Sequence, residues 1–201
     1  MIKYILVGGY VPNAKDEGRA FCEELVKDID KKPVKILDCL FARPINIWEE
    51  KIKEDNIFFS KYIKDFEVEL ADPNNFTEQV KQSDVIYLRG GDTTLLMNLL
   101  SKNTGWDKGL HDKVLVGTSA GAEAIARYYY DYVLEIPRVR EGLNFLPIKF
   151  ISHFGSHYFD GREQNIDWHK AMKDLSEYKE NELPVRALAE GEFIVINSVE
   201  V

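Results

Sequence analysis

Apolar and polar positions fall into blocks along the chain, and the blocks switch between a strand period and a helix period. Ile2–Val7 is a short apolar run stopped by Gly8-Gly9, which predicts a first strand. Residues 17–30 carry Phe21, Leu25 and Ile29 on one stripe, the spacing of an amphipathic helix. Pro33 opens a second buried run, Val34–Leu40. From Ile47 to Phe66 the pattern predicts one or two amphipathic helices whose aromatic residues belong to the core. A short strand over Phe66–Leu70 and a short helix over Asn75–Gln82, capped by Asn74 or Asn75, come next. Asp84–Leu88 is a further strand, ending in Arg89-Gly90-Gly91-Asp92-Thr93-Thr94, and a helix runs from about Thr94 to Lys102. Lys113–Val116 is a β-branched run that leads through Gly117-Thr118-Ser119-Ala120-Gly121 into a helix expected over Ala120–Tyr130. Tyr132–Ile136 and Ile148–Ile151 read as strands and Ile166–Tyr178 as a helix. Val185–Ala189 and Phe193–Val199 read as a terminal hairpin around Glu190-Gly191.

No repeat, low-complexity tract or Pro/Ser-rich linker divides the chain, so residues 1–201 are expected to form a single domain. Strands alternating with helices imply an α/β fold: a mostly parallel sheet covered on both faces, with ligands at the strands' carboxyl ends. Both glycine turns, Gly90-Gly91 and Gly117/Gly121, fall at such ends and point to one active site.

Composition narrows the classes. A net charge of −8 argues against non-specific nucleic-acid binding, which needs cationic side chains against phosphates. No uncharged apolar run reaches the roughly 18–20 residues that span a bilayer. The apolar part of the N-terminus is too short for a signal peptide, and Cys22 and Cys39 fit no metal spacing. Two thiols in such a chain suggest a reducing compartment with both buried, and a cytoplasmic address is expected.

Ser119 sits between strand and helix with a glycine two residues to either side, the pattern G-x-S-x-G. Such a turn is too sharp for bulky neighbours and lifts the hydroxyl above the sheet. A serine hydroxyl needs a base within hydrogen-bond reach and a third group to orient that base. Of the four histidines, His153 follows the strand Ile148–Ile151 and so lies level with the turn. His157 is on a looser segment, His111 is at the wrong end of the sheet, and His169 is within a polar helix. Asp131, Glu135, Glu141 and Glu123 are the available acids; Asp131 opens the strand at Tyr132–Leu134, and Glu135 ends it before Ile136-Pro137. Backbone N–H groups of Ala120 and Gly91 are the candidate oxyanion donors. Gly90-Gly91 lacks the spacing of a phosphate-binding loop, so nucleotide binding has little support.

Tyr87-Leu88-Arg89-Gly90-Gly91-Asp92-Thr93-Thr94-Leu95-Leu96 followed by Gly117-Thr118-Ser119-Ala120-Gly121-Ala122 resembles the peptidase E (aspartyl dipeptidase) family. The likeness continues through Gly142–Pro147, Ile151-Ser152-His153-Phe154 and Arg162-Glu163-Gln164 to the Leu188-Ala189-Glu190-Gly191 turn. It implies a serine peptidase on a three-layer, class I glutamine amidotransferase-like (flavodoxin-like) fold, with Ser119 as nucleophile and His153 as base. The third member implied is an aspartate before an apolar residue and proline, a stretch that is Glu135-Ile136-Pro137 here, so the implied triad is Ser-His-Glu. Gly90, Asp92 and Thr93 would line the substrate site. Asp92, where peptidase E has asparagine, is closer to the related cyanophycinases. Arg162 matches a family arginine able to pair with an N-terminal aspartate side chain as a bidentate fork. The expectation is hydrolysis of small peptides without cofactor, metal, nucleic acid or membrane, with a homodimer left open. The alternatives are a cyanophycinase-like β-aspartyl peptidase and an inactive binding domain of the same fold. An α/β-hydrolase esterase is disfavoured, because the chain after Ser119 is short for that fold and no HGGG-type loop is present.

Overall fold

The computed structural model describes residues 1–133, 137–159, 162–163 and 165–198; at 158–159 and 162–163 only the backbone is described. In chain order the elements are β1 (Lys3–Val7), α1 (Arg19–Val26), β2 (Val34–Cys39), α2 (Trp48–Ser60), β3 (Phe66–Leu70), α3 (Phe76–Gln82), β4 (Val85–Leu88) and α4 (Thr93–Lys102). They continue with β5 (Val114–Thr118), α5 (Ala120–Ile125), β6 (Ala126–Asp131), β7 (Arg138–Glu141), β8 (Leu146–Ile151), β9 (Tyr158–Phe159), β10 (Arg162–Glu163), α6 (Trp168–Glu177), β11 (Val185–Ala187) and β12 (Phe193–Asn197).

The main sheet has the order β12-β1-β5-β4-β2-β3, parallel except for β12, which pairs antiparallel with β1. Side chains alternate across it as the pleat demands. Tyr4, Leu6, Leu37, Ile86 and Leu115 pack on one face with Phe76 and Val80 of α3, Leu96 and Leu100 of α4 and the alanines of α5. Ile5, Val7, Ile36, Val85, Tyr87 and Val116 pack on the other face with Phe21, Cys22 and Leu25 of α1 and Phe59 of α2. This is the three-layer α/β sandwich expected from the alternation of strands and helices. Both cysteines are buried and free, and burial pushes the Cys22 thiol up to about 12.

Two features depart from the pattern. The helix after Ser119 stops at Ile125, and a strand, Ala126–Asp131, takes the place of its second half; of the strand expected over Tyr132–Ile136, residues 134–136 lie outside the described residues. The carbonyls of Ala124, Ile125 and Ala126 accept from Leu143, Phe145 and Asn144 (2.8, 3.0 and 3.2 Å), so a distant loop satisfies groups that another helical turn would have used. The three tyrosines that follow then do what aromatic residues favour and pair as a strand. β6 lies in a second sheet, β11-β8-β6-β7, with Ala171 and Leu175 of α6 packed against Tyr128 and Tyr130.

The second departure is the terminal hairpin, which does not form. β11 pairs parallel with β8 in the second sheet, whereas β12 joins β1 in the main sheet. The turn at 188–192 therefore bridges the two sheets. Among the described residues no helix is long and apolar enough to cross a membrane.

Candidate active site

Parallel strands deliver their carboxyl ends to one rim, and a cavity of about 670 Å³ opens there. Its lining comes from the turns after β1 (Gly9), β2 (Ala42, Arg43), β4 (Arg89 to Thr94) and β5 (Thr118, Ser119), with Glu123, Asp131, His153 and Glu190.

Ser119 is held in a backbone conformation that side chains rarely adopt, φ 49° and ψ −112°. Its N–H donates to Val7 O (3.0 Å), which ties the turn to the neighbouring strand. The turn closes so tightly that a Cβ on Gly121 would lie 2.1 Å from the Leu88 carbonyl oxygen, so only glycine fits. The serine is thus pinned in the strained strand-to-helix turn that exposes a hydroxyl.

His153 also has a positive φ, 52°, and its N–H donates to Gly8 O (2.7 Å). That bond fastens the segment after β8, in the second sheet, to the end of β1 in the first. His153 Nε2 lies 2.7 Å from Ser119 Oγ, and Nδ1 is hydrogen-bonded to Glu190 Oε1. The other Glu190 oxygen accepts from the Tyr10 N–H at 2.5 Å. Burial pushes the Glu190 carboxyl up, but the hydrogen bond and charge of His153 and the Tyr10 N–H outweigh it, so the net direction is down. A Cβ on Gly9 would meet Glu190 Oε2 at 2.2 Å and His153 Nδ1 at 2.7 Å. The Gly8-Gly9 turn is therefore what lets carboxylate and imidazole come together.

The structure thus brings together Ser119, His153 and the turns carrying Gly90, Gly91, Asp92 and Thr93. Gly90 faces the serine: its N–H donates to Thr118 Oγ1 (3.1 Å), and Arg43 Nε donates to its carbonyl (2.6 Å). The Asp92 N–H is taken by Ala42 O (2.8 Å), and the Asp92 side chain caps α4 by accepting from Leu95 N–H (2.9 Å). The described hydrogen bonds of this turn leave the Gly91 N–H unused. Ala120 is the buried first residue of α5, where an N–H has no acceptor within its helix. Glu135 lies outside the described residues, and Asp131 is bound to Arg140 (3.1 Å). Arg162 is in β10, with its side chain outside the description. His111, His157 and His169 are exposed.

Sequence reasoning had not assigned Glu190 a role, although the Gly8-Gly9 and Glu190-Gly191 turns were visible. It also missed the far wall, where Arg89 Nη1 binds Asp55 Oδ1 (2.8 Å) and Tyr87 OH (3.0 Å). Behind them Asp38 is fully buried, and its carboxyl oxygens find no donor among the described residues. Burial first, and the charge of Asp55 second, push the Asp38 carboxyl well up against the opposing pull of Arg89. A carboxyl whose folded-state pKa is raised binds its proton more tightly when folded, so its contribution weakens as pH rises above the unfolded value near ~4. Asp38→Asn, neutral at every pH, should therefore gain on the wild type with rising pH. Melting at pH 4 and pH 8 checks this: the difference in Tm, variant minus wild type, becomes more positive at pH 8, and a pH-independent difference refutes it.

A parallel-sheet α/β fold with a strained serine at a strand's carboxyl end and a histidine 2.7 Å away defines the class of serine hydrolases. The particular family follows from comparison: the sequence profile of peptidase family S51 matches residues 55–201, and the chain belongs to that family. It is a serine peptidase. Among solved structures, a peptidase from an acI-B1 Actinobacterium superposes with a TM-score of 0.68 at 20% identity, covering 97% of this chain and 83% of the other. A protein of Listeria monocytogenes EGD-e carrying a provisional peptidase E name gives 0.64 at 18% identity, covering 98% and 95%. These likenesses speak to the fold. Among curated proteins none matches this chain.

Proposed function

We propose that the enzyme is a serine exopeptidase, a dipeptidase of the peptidase E type, working through Ser119, His153 and Glu190. The observation that carries this is the His153 imidazole, hydrogen-bonded at one nitrogen to the serine hydroxyl and at the other to a carboxylate. With Nδ1–H donating to Glu190, Nε2 holds the lone pair that accepts the serine proton. Ser119 Oγ attacks the peptide carbonyl carbon and its proton passes to Nε2. The N–H groups of Gly91 and Ala120 stabilise the oxyanion. His153 then returns the proton to the leaving amine as the C–N bond breaks, and water hydrolyses the acyl-enzyme by the same steps in reverse order. Glu190 takes the orienting role that the sequence had suggested for Glu135. Arg162 remains the candidate for pairing with an acidic N-terminal side chain, and Asp92 keeps the cyanophycinase-like β-aspartyl substrate in view.

A dipeptide panel of Asp-X, Asn-X, Glu-X and β-Asp-X tests the reading. Cleavage of Asp-X in preference to Asn-X is the expected result. Cleavage confined to β-Asp-X moves the enzyme to the β-aspartyl branch, and an intact panel refutes the dipeptidase assignment.

A further inference from the structure

The cavity beside Ser119 is rich in carboxylates, and most have their charge matched. Asp55 pairs with Arg89 (2.8 Å), Asp131 with Arg140 (3.1 Å), Glu54 with Lys51 (2.8 Å) and Glu190 with His153. Asp92 is engaged by the backbone of α4. Glu123 differs. It is 7% exposed, and the partners described for it are two neutral hydroxyls, Thr93 Oγ1 and Ser152 Oγ, each donating at 2.5 Å.

Two hydroxyls orient a carboxylate without neutralising it, and a buried charge lacking a counterion is costly. Burial indeed pushes this carboxyl up, with Ser152, Thr93 and His153 pulling the other way. Its position supplies a reason to keep it. Glu123 stands one helical turn beyond the nucleophile, its N–H bonded to Ser119 O (2.9 Å), and it lines the same cavity. Ser119 and Glu123 thus open on one cavity, and an aminoacyl group can address both, because its ammonium nitrogen is two bonds from the carbonyl carbon.

We propose that Glu123 binds the α-ammonium group of the substrate's N-terminal residue and so makes the enzyme read free peptide N-termini. The inference rests on Ser119 being the nucleophile of a peptidase, as proposed above. The substrate brings a cation to Glu123, and Thr93 and Ser152 hold the carboxylate in place for it. Thr93 opens α4 and Ser152 precedes His153, so the same carboxylate also links the oxyanion turn to the base.

The test compares the best-cleaved dipeptide of the panel with its N-acetyl form and its desamino form, which removes the amine without adding bulk. The wild type should cleave the free dipeptide at least about tenfold better than either analogue, the scale of one charge-assisted hydrogen bond. Glu123→Gln should lower kcat/KM for the free dipeptide to the level of the desamino form while changing the desamino rate little. A variant that slows both forms equally shows a positioning role alone and overturns the proposal. So does a wild type indifferent to the amine, a readout that needs no variant to fold. Thr93→Val, which keeps the charge and removes one hydroxyl, should retain a preference for the free amine. If no dipeptide is turned over at all, the dipeptidase reading fails and the inference with it, an outcome distinct from turnover that ignores the amine.

Discussion

Ser119→Ala is expected to lower kcat/KM for the preferred dipeptide by about 10⁴–10⁶-fold while the folding transition stays close to that of the wild type. The size follows from the geometry. With Oγ gone, His153 Nε2 loses the hydroxyl proton it is placed to take at 2.7 Å, and the proposed acyl-enzyme cannot form. What remains is positioning and oxyanion stabilisation, which by themselves still exceed the reaction in water. The side chain's only described hydrogen bond is the one to His153, so removing it opens no core cavity. Steady-state kinetics with a denaturation curve on the same preparation checks both halves. Activity within tenfold of the wild type removes the serine mechanism.

Glu190→Gln is expected to cost about 10²–10⁴-fold in kcat, with a smaller effect on KM. An amide in this place can present its NH₂ to Nδ1, which favours the tautomer with the proton on Nε2, where it cannot accept from Ser119. It also forfeits the negative charge that stabilises the imidazolium formed during attack. The Tyr10 N–H still has an oxygen to bind, so the loss should fall on chemistry more than on stability. Glu135→Gln is the matched control. If it proves the more damaging of the two, the orienting role returns to the acid expected from the family pattern.

Much of the site was legible because it follows local rules. A β-branched run, a glycine on each side of Ser119 and a helix-forming stretch require a strand, a sharp turn and an exposed hydroxyl, whatever the rest of the chain does. The glycine turn after Leu88 and the placement of His153 after an apolar strand could be read in the same way. The acid could not, because its position depends on which strands pair. Val185–Ala187 and Phe193–Asn197 look like two arms of a hairpin, and a hairpin would have put Glu190 in a solvated tip. Instead each arm found a better edge in a different sheet, and the turn between them was drawn across the rim to His153.

The length of the helix after Ser119 shows the same division. Alanine spacing over 120–130 predicts a longer helix than forms, since nothing local announces that residues 142–145 will claim its last carbonyls. By itself, then, the sequence determined the α/β class, the sharp glycine turn at Ser119 and the placement of His153 after a strand, all of which rest on periodicity and on steric limits spanning a few residues. Only the tertiary structure decided the second sheet, the Glu190 contact, the Asp38–Asp55–Arg89 wall and the burial of Glu123 between two hydroxyls. Those depend on long-range strand pairing and on what else is buried nearby, and neither is written in the spacing of residues along the chain.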